Sequence, residues 1–167
     1  MEAKSYKQMM QHHVGAPVVI ATGTQGARTG LTATAFCSLS DSPPTILICV
    51  NKSASAHPII TRTRTFSVNI LREDQAHLAA CFAGQTGLQG EERFAHGCWT
   101  TQATGAPVLA DALASLDCEL LQVHDHPTHS VFIGLVHEAT TNEDSDPLVY
   151  FRGAFGTLQS HRTACAA

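Results

Sequence analysis

Gly30-Leu31-Thr32-Ala33-Thr34-Ala35-Phe36-Cys37-Ser38-Leu39-Ser40-Asp41-Ser42-Pro43-Pro44 is the stretch from which the fold can be read. From Thr29 to Phe36 small residues alternate with threonines, the period-two pattern of a strand, so one face carries only small side chains and the other offers hydroxyls. Pro43-Pro44 marks a turn, and Thr45 to Val50 (Thr-Ile-Leu-Ile-Cys-Val) is a further strand. Upstream, Ala16 to Thr22 is short, rich in β-branched residues and bounded by Gly15 and Gly23, and Gly23 to Arg28 reads as a hairpin loop. Three consecutive strands with short connections favour an antiparallel sheet.

Beyond Asn51, the serines of Lys52-Ser53-Ala54-Ser55 and the early Pro58 open a short helix, because serine caps helices and proline is tolerated in a first turn. Phe66 to Leu71 alternates as a half-buried strand, and Asp74 is placed to cap a helix running through Leu78 and Phe82. Ala83 to Gly105 lacks periodicity and reads as a long irregular excursion with one helical turn around Glu91-Glu92-Arg93. Ser115–Val123, Ser130–Ala139 and Pro147–Phe151 return to strand character, separated by turns at His124–Pro127 and Asn142–Asp146. About seven short, evenly spaced strands with two or three helices suggest a barrel. Residues 1–158 form one domain in this reading, and residues 159–167 a flexible tail.

With 10 Lys and Arg against 14 Asp and Glu the chain of 167 residues carries a net charge of −4, and only 14% of it is charged. That argues against nucleic-acid binding, which needs clustered cations. The sequence holds no apolar run of membrane-spanning length and opens on polar residues, so the expected location is the cytoplasm. In that reducing compartment Cys37, Cys49, Cys81, Cys98, Cys118 and Cys165, none closely spaced, read as small buried hydrophobes.

Histidine is over-represented at 10 residues. His124, His126 and His129 form the densest set of metal-ligand types, but Pro127 breaks the strand between them, leaving three readings open: a metal site, a plain turn, and one functional histidine, His129. The glycines at 23, 26 and 30 do not open a helix and so fail as a dinucleotide fingerprint. Cys49-Val50-Asn51-Lys52-Ser53-Ala54-Ser55 brings an amide, a cation and two hydroxyls to a helix start, a phosphate-binding environment without a glycine loop.

In order along the chain, Gly30 to Ser40, Pro43-Pro44, Cys49-Val50-Asn51, Phe66 to Leu71, Phe82-Ala83-Gly84, Glu92-Arg93-Phe94, Pro107-Val108-Leu109, Ala114 to Glu119, Thr128-His129 and Leu148 to Phe151 resemble the flavin reductase family. These are small NAD(P)H:flavin oxidoreductases that serve two-component monooxygenases, and the match points in particular to the branch serving 4-hydroxyphenylacetate 3-monooxygenase. Many members carry Gly-Asp-His where this chain has Pro127-Thr128-His129, a difference that leaves the nicotinamide preference open. The resemblance implies a mainly β fold with a few helices, a split β-barrel of the FMN-binding type with an antiparallel Greek-key-like sheet, assembled as a homodimer. It implies that Thr32, Ala33 and Thr34 with Cys49, Val50 and Asn51 line the isoalloxazine. Ser38 and Ser40 would reach the ribityl or phosphate region, and Lys52, Ser53 and Ser55 the phosphate. Phe82 and Ala83 would close over the ring, His129 would face the nicotinamide as the catalytic residue, and Tyr150 and Arg152 would sit at the rim. The implied reaction is hydride transfer from NADH or NADPH to FMN or FAD, the reduced flavin passing to a separate monooxygenase; no metal is implied. A flavoprotein that retains its FMN, and a metal-dependent barrel enzyme using the three histidines, are the alternative readings.

Overall fold

The structure is a computed structural model, and it describes residues 1–142 and 144–158. The tail expected over residues 159–167 lies outside the described residues. In chain order the elements are α1 (Ala3–Met10), β1 (Val18–Thr22), β2 (Thr29–Ala33), β3 (Phe36–Asp41), β4 (Pro44–Asn51), α2 (Ala56–Thr63), β5 (Thr65–Ile70), α3 (Ala76–Phe82), β6 (Trp99–Thr101), β7 (Pro107–Leu109), β8 (Ala114–Asp125), β9 (His129–Thr141), β10 (Leu148–Phe151) and β11 (Ala154–Thr157), with single 3₁₀ turns at Glu73–Gln75 and Gly90–Ala95. Seven strands form one antiparallel sheet in the order β2-β1-β5-β8-β9-β4-β3, and β6-β7 and β10-β11 are separate two-stranded ribbons. No helix among the described residues is long and apolar enough to cross a membrane.

The two edge strands of the seven-stranded sheet, β2 and β3, are consecutive in the chain and separated only by Thr34 and Ala35. In a flat sheet, six inter-strand steps would hold those edges about 29 Å apart, whereas the three Cα steps from Ala33 to Phe36 span at most about 11 Å. The sheet therefore curls until its edges meet at this corner, where Phe36 N donates to Thr34 O (3.1 Å) and Cys49 N to Ala35 O (3.0 Å). No ladder joins β2 to β3 among the described residues.

The curl encloses a core of Val18, Ile20, Ile48, Val50, Phe66 and Phe132, closed at one end by Ile60 of α2. Strand β1 is buried on both faces: Val18 and Ile20 point into this core, while Val19 and Ala21 face a second cluster with Leu78, Ala79, Phe82 and Phe94. Hence its unbroken apolar run. The second core seats α3 against β2, and Gly30 makes this possible. A Cβ there would lie 2.6 Å from Ile20 O and 2.9 Å from Phe82 Cε1. Gly30→Ala is expected to cost about 1–3 kcal/mol of overpacking, lowering Tm in a thermal melt by roughly 2–10 °C for a chain of this size.

Several expectations are corrected. The threonine–alanine run is not one strand but two meeting at the corner, and the described residues hold eleven strands. Asp74 does not cap α3; its carboxylate pairs with Arg72 (Nη2 to Oδ2 3.0 Å), and the turn before α3 is capped reciprocally by Arg72 and Gln75. The excursion carries a ribbon, β6-β7, pinned by buried Asn69, whose Oδ1 accepts from Leu109 N (2.8 Å) and Ser115 Oγ (3.0 Å). His124 and Asp125 belong to β8, not to the turn. Of the five described cysteines only Cys81 and Cys118 are buried, and burial pushes the Cys118 thiol up to about 12.

Candidate active site

The corner between β2 and β3 is built from small residues, so its backbone stands open on one side. On that side lies a cavity of about 230 Å³ lined by Pro17, Thr32, Ala33, Thr34, Ala83, Gln85, Tyr150 and Phe155. It gathers the end of β2, the exit of α3 and the β10-β11 ribbon, where the Tyr150 and Phe155 rings pack at a tilt of 57° with centroids 5.5 Å apart. Thr32 contributes backbone rather than hydroxyl, since its Oγ1 donates to Ala79 O (2.7 Å) and anchors α3. Thr34 rests on the Gly15 backbone, where an added Cβ would come within 3.1 Å of Thr34 Cβ. On the other flank of the corner Cys49 presents a neutral thiol, its pKa raised by burial and secondarily by Cys37.

A second cavity, of about 610 Å³, adjoins the same excursion past Gly84, between the β1–β2 hairpin, the start of α2 and residues 84–93. Arg28, Thr29, Ser55, Glu91 and Arg93 line it. Ser55 Oγ and Thr29 Oγ1 are 2.7 Å apart. Glu91 clasps Arg28, taking its backbone N–H (2.8 Å) on Oε2 and its Nε (2.7 Å) and Nη2 on Oε1, and the Arg28 guanidinium lies over the Phe94 ring at 4.6 Å. Arg93 ties the excursion down through Leu88 O (2.9 Å) and Gly30 O (3.1 Å).

The Arg28 side chain, then burial in opposition and the Arg28 and Gly26 amides, set the Glu91 carboxyl below its free value of 4.5. A depressed carboxyl stabilises the fold above its unfolded pKa, and that contribution is lost as pH falls through the folded value. Protection of residues 84–95 from hydrogen exchange, taken relative to the intrinsic rate at each pH, is therefore expected to fall as the pH drops below about 4.5. Glu91→Gln should show that lower protection already at pH 7, and equal protection in the variant would dismiss the clasp.

The turn after β4 is shaped by Asn51, whose Oδ1 accepts from Ser53 N (2.9 Å) and Ser53 Oγ (2.8 Å). Across the ladder Asn51 faces His129 on β9, and His129 Nδ1 lies 2.9 Å from Thr128 Oγ1. Lys52 Nζ is 3.1 Å from Asp125 Oδ1. Thus Thr32, Ala33, Thr34, Ala83 and Tyr150 share one cavity, Ser55 lines the next, Cys49 flanks the corner, and Asn51, Lys52, Ser53 and His129 lie further along, where β4 ends opposite the start of β9.

Other expected site residues fall elsewhere. Val50 and Phe82 are core residues, 0% and 2% exposed; Phe82 packs edge-on to Phe94 at 5.2 Å and cannot close over a ligand. Ser40 pairs with Thr45 at the far end of β4, its Oγ accepting from Ser42 N (3.2 Å). Six residues of strand, about 20 Å, separate that end from Asn51. Ser38 pairs with Ile46, also toward that end. Arg152 occupies the turn of the β10-β11 ribbon, its guanidinium 5.0 Å from the Phe151 ring centroid and outside the cavity lining. No three His, Cys, Asp or Glu among the described residues are gathered to hold a metal. Sequence reasoning missed Glu91, Arg93, Gln85 and Phe155 as cavity residues and left Arg28 unplaced.

A sequence profile described as flavin reductase like domain matches residues 10–159. The chain belongs to the flavin reductase-like family. Within it, the chain is similar to FMN reductase (NADH) RutF 1 of Methylorubrum extorquens strain PA1, with 38% identity over 158 residues, 95% of this chain and 77% of that protein. Among solved structures, it is similar to flavin reductase PheA2, with TM-score 0.85, 31% identity and coverage of 96% of this chain and 100% of that one. It is also similar to BorF, the flavin reductase component of a bacterial two-component tryptophan halogenase, with TM-score 0.86, 31% identity and coverage of 94% and 98%. Flavin reductase-like membership thus extends over the corner, both cavities and the β8–β9 turn.

Proposed function

We propose that this chain is an NADH-dependent FMN reductase that releases reduced flavin to a separate flavin-dependent monooxygenase in the cytoplasm. The observation that carries the reading is the convergence of Thr32–Thr34, Ala83 and Tyr150 on one cavity beside a second cavity lined by Arg28, Thr29 and Ser55. A flat, mostly apolar ring with a polar edge fits the open small-residue corner, and a phosphate fits hydroxyls and cations. The names of RutF, for NADH and FMN, and of BorF and PheA2, for flavin reduction, support the same class. Residues 1–158 act as one domain, and the curled sheet is read as the split, Greek-key-like barrel of the FMN-binding type.

When bound, the flavin supplies the redox chemistry, acceptance of a hydride from NADH. The protein's part is binding and orientation. Backbone and side-chain atoms of Ala33, Thr34, Cys49 and Asn51 would hold the ring, with Thr32 and Val50 contributing backbone alone. Lys52, Ser53, Ser55 and Arg28 would serve the phosphate, and His129 would orient the nicotinamide. We assign the protein to a homodimer. The face of β4 and β9 turned away from the core presents Leu47, Val131, Ile133 and Leu135, with exposed Leu39 on the neighbouring strand. The aromatic-hydroxylase branch, 4-hydroxyphenylacetate 3-monooxygenase among its partners, is the finer assignment and rests on the Thr128-His129 pair.

The experiment is an FMN titration followed by NADH oxidation with free FMN in excess. Catalytic turnover of added FMN is expected. No binding and no NADH consumption would sink the proposal, and a tightly retained flavin with no turnover of added FMN would favour a self-contained flavoprotein.

A further inference from the structure

His57, in the first turn of α2, begins a chain of hydrogen bonds that runs through β9 and β8 to the turn between them. Its Nε2 lies 2.8 Å from Ser130 Oγ, and Ser130 Oγ lies 2.6 Å from Asp125 Oδ1. The same carboxylate oxygen is 3.1 Å from Lys52 Nζ, and Lys52 N donates to Thr128 O (3.0 Å). Ser130 is fully buried, and the His57 ring packs edge-on to Phe132 with centroids 5.1 Å apart.

The direction of the chain follows from proton counting. The Ser130 hydroxyl first, then Lys52, hold the Asp125 carboxyl below the usual carboxylate range, so it is ionised at neutral pH and can only accept. Ser130 has one proton and gives it to Asp125; its oxygen must then accept from His57. His57 is thereby fixed as a donor at Nε2. Asp125 and Ser130 are also direct ladder partners, and they bracket the turn His126-Pro127-Thr128-His129. Clamping the bracket from α2 fixes the turn that presents His129 opposite Asn51.

We propose that His57 is a positioning residue for His129, acting through the Ser130 hydroxyl and the Asp125 carboxylate. The inference rests on the reading of His129 as the nicotinamide-facing residue. The test uses the full chain, with steady-state NADH oxidation, FMN titration and thermal melts on each variant. His57→Ala is expected to lower kcat/KM for NADH about 10-fold, since small misplacements of a reacting geometry are costly, while the FMN Kd stays within about two-fold. Ser130→Ala, which leaves the His57 ring against Phe132, should match it. His57→Gln, whose amide can donate to Ser130, should recover to within about three-fold of wild type. His57→Ala combined with His129→Ala should be no slower than His129→Ala alone, because residues acting as one unit are not additive.

Wild-type kinetics in His57→Ala beside an impaired His129→Ala would overturn the proposal. So would equal loss in His57→Ala and His57→Gln with Ser130→Ala unaffected, which would mark ring packing as the whole role. Wild-type kinetics in His129→Ala would instead remove the underlying reading of His129, and the proposal with it.

Discussion

Ala83→Trp is expected to weaken FMN binding severely while leaving the fold intact. Ala83 is exposed at the C-terminal end of α3 and lines the cavity of about 230 Å³ opposite Thr32–Thr34 and Tyr150. An indole at that position fills much of the space a ring system would need, without entering either core. A loss of about 100-fold in FMN affinity is expected, roughly 2.7 kcal/mol, with NADH oxidation falling in parallel and the melting temperature within about 2 °C of wild type. An Ala83→Trp protein that titrates FMN as the wild type does would show that the flavin lies elsewhere. The 610 Å³ cavity around Arg28 would then be the first place to look.

The second large effect concerns assembly. Ile133 pairs with Leu47 on the outer face of the β4–β9 ladder, beside the Val131–Cys49 pair. Ile133→Glu places a carboxylate at the centre of that apolar face. In a dimer buried through it, an unpaired charge costs about 3–5 kcal/mol, enough to raise the dissociation constant by at least about 100-fold. Sedimentation velocity should show a dimer for the wild type and a monomer for the variant. Reductase activity should fall with it, because Cys49, next to the corner, shares that face. A monomeric wild type, or a variant that remains dimeric, would refute the assignment.

The sequence shows strand and helix wherever a residue's partner is chemical type alone. The run Val18-Val19-Ile20-Ala21 reads as buried strand because it is buried on both faces. Leu78 and Phe82 read as helix because they recur at a spacing of four. That same spacing put Phe82 on the buried stripe beside Leu78, so its place in the core was available in principle. The corner was not available. Thr32-Ala33-Thr34-Ala35 alternates without interruption, and the break after Ala33 is imposed by the curl of the whole sheet rather than by any local preference. Short elements such as β11 and α1 were missed for a related reason: β11 owes its form to pairing with β10, and α1 buries none of its residues in this chain.

In the candidate site, contiguous residues were legible and distant pairings were not. Asn51 to Ser55 is contiguous in the chain and leads into α2, so the proximity of its amide and hydroxyls is legible without knowing the fold. Arg28 and Glu91 are 63 residues apart, so nothing in either neighbourhood announces their clasp. Ser40 is a matter of extent rather than chemistry: a strand carries its residues apart at about 3.4 Å each, so the serine expected at the ribityl or phosphate region pairs with Thr45, at the opposite end of β4 from Asn51.

The meeting of β2 and β3 also has a consequence for how the molecule comes into being. Thr34 and Ala35 are local in the chain, yet in the folded sheet the edges they join are held together through distant pairs such as Thr45 with Leu135 and Thr65 with Glu119. Such long-range pairings close large loops and form slowly. The β3–β4 hairpin alone can make the bond from Cys49 N to Ala35 O, but the β2 side of the corner is set against it only when the whole sheet is paired. The flavin site proposed at this corner is therefore complete only when the whole sheet is paired.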